Sequence, residues 1–133
     1  MARFTNYDNV NVEGYHLKKT TVTTDNTAGA RTYTAAELLG GLILRDPNGA
    51  GRSDVTPTAA AIIAELDEPA VGSSFEFTIR NTANAAETIT VTAGTDVTLS
   101  GTMTIAQNNS KRFLAVVTSA TTVTVYSLGT VVH

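Results

Sequence analysis

The 133-residue sequence predicts a mainly β protein: an antiparallel β-sandwich, jelly-roll-like, with one short Ala-rich helix and an extended N-terminal arm. Three observations carry this expectation. From Gly72 onward apolar residues recur with period two, as on half-buried strands. Turn residues break that pattern at short, regular intervals, as they do in a sandwich. Threonine occurs 24 times, and this β-branched residue suits the wet face of a sheet.

Residues 1–30 read as the arm and 31–133 as the sandwich domain. In the arm, Tyr7 to His16 is polar with isolated apolar residues, and Lys18 to Gly29 is rich in threonine and asparagine. The segment reads either as a poorly ordered terminus or as an extended arm that orders on a partner, with Phe4, Tyr7, Tyr15 and Leu17 as spaced anchors. Thr34-Ala35-Ala36-Glu37 then matches a capping box, and Gly40-Gly41 ends the turn that follows, since glycine tolerates positive φ. Leu42-Ile43-Leu44 reads as a buried strand. Asp46 to Asp54 reads as a loop dense in turn residues.

Thr56 as N-cap and Pro57 as first helical residue open the one clear helix. Ala59, Ile62, Ile63 and Leu66 stand at i, i+3, i+4 and i+7, one apolar stripe. Asp67-Glu68-Pro69 closes it. Beyond it, Phe75, Phe77 and Ile79 form the first alternating strand, Ile89 and Val91 the second, and Val97 and Leu99 with Met103 and Ile105 continue. Phe113 to Val117 reads as a strand covered on both faces, and Val123 and Val125 mark the last one. Asn81–Ala86, Gly94–Asp96, Gln107–Asn109 and Ser119–Thr121 supply the turns.

Composition narrows the function classes. The chain has no cysteine, which excludes disulfides, thiolate zinc sites, Fe–S clusters and cysteine nucleophiles. Net charge is −3 and the nine basic residues are scattered, so no electrostatic nucleic-acid footprint is expected. The longest apolar stretch, Ala59 to Ala64, is far too short for a membrane span. Only 16% of residues are charged, against about 25% in ordinary globular chains, so uncharged polar side chains cover much of the surface.

No catalytic constellation assembles. Asp46, Asn48 and Asp54 outline a calcium loop, but Ala50 and Pro57 stand where ligands are needed, and a turn explains the glycines. Gly49-Ala50-Gly51 lacks the Lys-Ser/Thr of a phosphate loop. His16 with Asp8 or Glu13 and a serine would make a nominal triad, yet no nucleophile elbow exists. Glu65, Asp67, Glu68 and Glu76 are explained as helix-end and strand-surface charges, and Lys111-Arg112 as a strand start. Tyr33 and Tyr126 are single aromatics on strand-like segments. No cofactor and no metal is expected.

Three stretches resemble the small capsid decoration, cement or head-fibre proteins of tailed bacteriophages. They are Leu39 to Gly49 with Ser53-Asp54 and the Thr56 to Ala60 helix start, Val71 to Asn81, and Ser110 to Phe113 with Val123 to Ser127. The similarity covers roughly residues 32–128, and its motifs are structural rather than catalytic. It implies a β-rich homotrimer on the capsid's three-fold or quasi-three-fold axes, clamping neighbouring major capsid protein subunits on the outside of the virion. It implies that Phe4, Tyr7, Tyr15, His16 and Leu17 form a capsid-contact arm. Ala59, Ile62, Ile63 and Leu66 become candidates for the trimer interface. A β-sandwich recognition module that binds glycans on a phage or bacterial surface is the competing expectation, for which eight aromatics are few.

Overall fold

The computed structural model describes residues 18–133. Nine strands form two sheets. The larger has six strands in the order β1 (Thr21–Asp25), β2 (Gly41–Arg45), β4 (Ser74–Asn81), β8 (Asn109–Val117), β9 (Val123–Val132) and β6 (Val97–Ser100). The smaller has three: β3 (Arg52–Val55), β5 (Ile89–Thr92) and β7 (Thr104–Ile105). Two helices, α1 (Ala35–Gly40) and α2 (Ala59–Glu65), add to the core.

The mainly β class holds, but the sheets are mixed rather than antiparallel. β1 runs parallel to β2, β2 to β4, β3 to β5 and β6 to β9; β4–β8, β8–β9 and β5–β7 are antiparallel. Parallel neighbours need a crossover. Here α1 lies between β1 and β2 in sequence, and β3 with α2 lies between β2 and β4. Thr21–Asp25, within the segment expected as an arm, is an edge strand of the large sheet.

The expected single helix is two. The capping box at Thr34 starts α1: the Glu37 amide donates to Thr34 Oγ1 at 3.2 Å, and the Thr34 amide donates to Glu37 Oε2 at 2.8 Å. Gly41 ends it at φ 100°, where a Cβ would be strained. In α2 the N-cap is Thr58, whose Oγ1 accepts from the Ala61 amide at 3.1 Å. Thr56, the expected cap, is buried instead: its hydroxyl accepts from the Gly94 amide at 2.9 Å and donates to the Pro57 carbonyl.

The core fills one face of the large sheet. Phe77 and Phe113 stack with centroids 5.0 Å apart, among Ile43, Ile79, Val123 and Val125. Ile89, Val91 and Ile105 oppose them from the small sheet, and Leu38 and Ile62 close the sides from the helices. Asn81 ties the layers together. Its buried amide donates to the Glu87 and Ile105 carbonyls at 2.7 and 3.0 Å, satisfying two acceptors that water cannot reach.

Candidate functional site

The other face of the large sheet carries the site. Burial alternates along its strands: in β8, Lys111, Phe113, Ala115 and Val117 are buried, while Ser110, Arg112, Leu114 and Val116 between them are not. Register places Leu42 beside Thr78 and Thr78 beside Arg112, with Glu76 beside Leu114 and Leu114 beside Tyr126. Leu42, Leu44, Leu114, Val116 and Tyr126 therefore share one outward face. All keep exposed surface, and among the described residues no second layer covers them. Among the described residues Phe113 to Val117 is thus covered on one face, where the sequence predicts cover on two.

Charges on this face are few. Arg112 and Glu76 pair at 3.3 Å, both half-exposed, and such a pair contributes little in water. Arg80 makes no ion pair with any described residue. A shallow groove of about 360 Å³ crosses the face between Thr78, Ser110, Arg112, Gly129, Thr130 and Val131.

The face ends in an open strand edge. β6 pairs only with Val123–Tyr126, so the second half of β9 has β8 on one side alone. The His133 amide donates to the Asn108 carbonyl at 2.8 Å. By period-two alternation the amides and carbonyls of Thr130 and Val132 then point away from β8. Leu128, Val131 and Val132 flank this edge, 43%, 59% and 75% exposed. No charge and no proline interrupts Val123–Val132, so the usual protections of an edge strand are missing.

Behind the sheet lies a buried polar network. Arg45 and Asp54 are both wholly buried and pair through Nε and Oδ2 at 2.8 Å. Tyr33 Oη donates to the same oxygen at 2.8 Å, and the Arg31 amide donates to Oδ1 at 3.1 Å. Arg45 Nη2 also donates to Asp54 Oδ1 at 3.3 Å, and its other donors go to the carbonyls of Thr27, Gly29 and Asp46. Burial, then the adjacent Asp54 charge, pushes the Tyr33 phenol far above its ordinary range. Arg31 bridges Asp25 and Glu37 at the rim and lies 4.8 Å from the Tyr33 ring. Every strong donor here has a partner, so the network holds loops rather than presenting a reactive group.

The residues singled out by sequence fall in different places. Phe4, Tyr7, Tyr15, His16 and Leu17 lie outside the described residues. Ala59 and Ile62 have no exposed surface, and Ile63 and Leu66 pack against the same core. A side chain without exposed surface cannot meet a second copy, so Ala59 and Ile62 serve this chain's own interior, while Ile63 and Leu66 keep part of their surface exposed. Asp54, of the outlined calcium loop, is committed to Arg45, and Asp46 Oδ1 accepts from the Asn48 amide. Among the described residues no three of His, Asp and Glu gather as a metal site. Lys111 turns inward and donates to the Thr102 carbonyl at 2.8 Å. Burial lowers its pKa.

Sequence reading missed the open face and its edge. The charge-free run Val123–Val132 was the available signal for the edge. For the face there was none, because an apolar residue on the uncovered side looks the same as one in the core.

No family model, no curated protein and no solved structure matches this chain.

Proposed function

We propose that the chain is a non-enzymatic structural protein of a tailed-phage virion. It acts as a homotrimeric decoration or cement protein that binds the outer capsid surface at three-fold or quasi-three-fold axes and steadies contacts between major capsid protein subunits. The observation that carries this reading is the outer face of the six-stranded sheet, which no described residue covers: Leu42 and Leu44 on one side of the polar β4 row and Leu114, Val116 and Tyr126 on the other stay partly exposed, with the unprotected β9 edge beside them. Exposed apolar side chains gathered at an open strand edge, Tyr126, Leu128, Val131 and Val132, support a protein-binding surface. The low charge fraction and the resemblance in residues 32–128 support the same reading. Assembly takes place in the host cytoplasm and the protein resides on the virion.

The experiment is co-sedimentation with capsids lacking the protein, alongside molar mass in solution by light scattering. A mass near three times 13.9 kDa and saturable capsid binding are expected. Leu114→Asp, on the open face, abolishes binding while far-UV circular dichroism stays unchanged. Full binding by that variant refutes the face as the contact. Absence of wild-type binding refutes the cement reading altogether.

A further inference from the structure

The second half of β9 presents unpaired backbone along its outer side. We propose that Leu128–Val132 pairs with an extended segment of a partner polypeptide, and that this segment carries a carboxylate side chain that crosses Gly129 to reach Arg112. In the capsid reading, on which the partner's identity alone rests, that polypeptide is the major capsid protein. β6 ends at Ser100 beside Tyr126, so beyond that point β9 has no outer neighbour among the described residues. The amides and carbonyls of Thr130 and Val132 point to that side, two donors and two acceptors at the spacing of a strand ladder. Leu128, Val131 and Val132 flank them with exposed apolar surface that an added strand covers.

Side chains select the occupant by charge. Register aligns two rows across the outer face, Arg80–Ser110–Val131 and Thr78–Arg112–Gly129, and each ends at the open edge. Gly129 places no side chain on the second row, and a Cβ added there would meet nothing within 4 Å. The groove lined by Arg112 and Ser110 is therefore open toward the edge. A residue opposite Gly129 on an added strand stands two strand spacings from β8, about 10 Å, a distance that a glutamate and an arginine span between them. Arg80 pairs with no described acid, and Arg112 shares only the half-exposed Glu76 at 3.3 Å. Positive charge thus exceeds negative beside the edge, and an acid on the arriving strand balances it. A second copy of β9 offers no such group, because Val123–Val132 contains no acidic residue. The complementary occupant is a foreign strand.

The test uses the full chain and a short synthetic peptide of alternating threonine and valine with one central glutamate, read by amide hydrogen exchange. Saturable binding is expected, with exchange at the Thr130 and Val132 amides slowed about tenfold or more. Replacing the peptide's glutamate by lysine weakens binding several-fold, and Arg112→Gln in the protein removes most of that preference. Thr130→Pro deletes an outward amide and spares the pairing with β8, so it abolishes binding with unchanged circular dichroism. Gly129→Val, at a backbone with room for a side chain, closes the groove and lowers binding of the glutamate peptide without a proline. No binding of that peptide, equal binding of both peptides, or Thr130 and Val132 amides already slow in the free chain each overturns the proposal. Peptide binding without capsid binding upholds the edge and refutes the cement reading. Capsid binding untouched by Thr130→Pro overturns the edge and leaves the cement reading standing.

Discussion

Arg45 of β2 and Asp54 of β3 meet at 2.8 Å with no exposed surface on either side chain, and they join the large sheet to the small one. Two charges taken from water are stable together only when their other donors and acceptors are also satisfied. Three backbone carbonyls, the Tyr33 hydroxyl and the Arg31 amide meet that condition. The pair thereby fixes the loop from Asn26 to Ala30 against both sheets.

Asp54→Ala strands a buried guanidinium and is expected to cost about 3–5 kcal/mol in urea unfolding. The double replacement Arg45→Met with Asp54→Leu removes both charges and is expected to cost far less. Equal losses in the single and double variants would show that shape, not charge, holds this junction.

Tyr33 provides a spectroscopic signature. Its phenol is held protonated by burial and by the Asp54 charge. The folded pKa lies above the unfolded one, so this contribution to stability is complete below about pH 10 and is lost as pH rises further. Phenolate absorbance from Tyr33 is expected only together with unfolding. Comparison with Tyr33→Phe isolates the signal, and a Tyr33 band that appears in the folded protein near pH 10 contradicts the assignment.

Arg31 governs the acid side. Burial works to raise the pKa of Asp25, but hydrogen bonds from Thr27 and the charges of Arg31 and Arg45 together outweigh it, and the net shift is downward. In Glu37 burial is likewise outweighed, by the Thr34 amide and by Arg31. Depressed carboxylate pKa values contribute stability above the unfolded pKa and lose it as pH falls through about 4 and below. Arg31→Gln is expected to flatten this acid limb in thermal melts between neutral pH and the acid transition. A variant curve parallel to wild type would remove Arg31 from the account.

Two threonines separate capping from packing. Thr58→Ala removes the α2 cap and is expected to cost about 0.5–2 kcal/mol. Thr56→Val keeps the shape but leaves the Gly94 amide without its acceptor, at about 1–3 kcal/mol. Hydrogen exchange distinguishes them: the first variant speeds exchange at the Ala61 amide, the second at the Gly94 amide.

Much of the fold was legible because its signals are local. Thr34-Ala35-Ala36-Glu37 is a capping box whose partners are three residues apart, and the structure forms it. Phe77 and Ile79 alternate with Thr78 and Arg80, so their burial follows from the pleat alone. Strand β3 was not legible, because Arg52-Ser53-Asp54-Val55 is short, polar and embedded among turn residues. It exists because Asp54 reaches Arg45 and because its backbone pairs with β5.

By itself the sequence determined a mainly β chain, the buried side of its central strands, the α1 capping box, the turns, and the absence of thiol chemistry. Only the tertiary structure decided strand direction, the division into six and three strands, and which apolar residues face outward. The physical reason is that period-two alternation specifies a face but not a direction, and parallel pairing depends on where a crossover returns the chain. Leu114 and Phe113 are adjacent apolar residues on one strand. One fills the core and the other stands on the open face, because among the described residues every covering layer packs on the same side of the sheet.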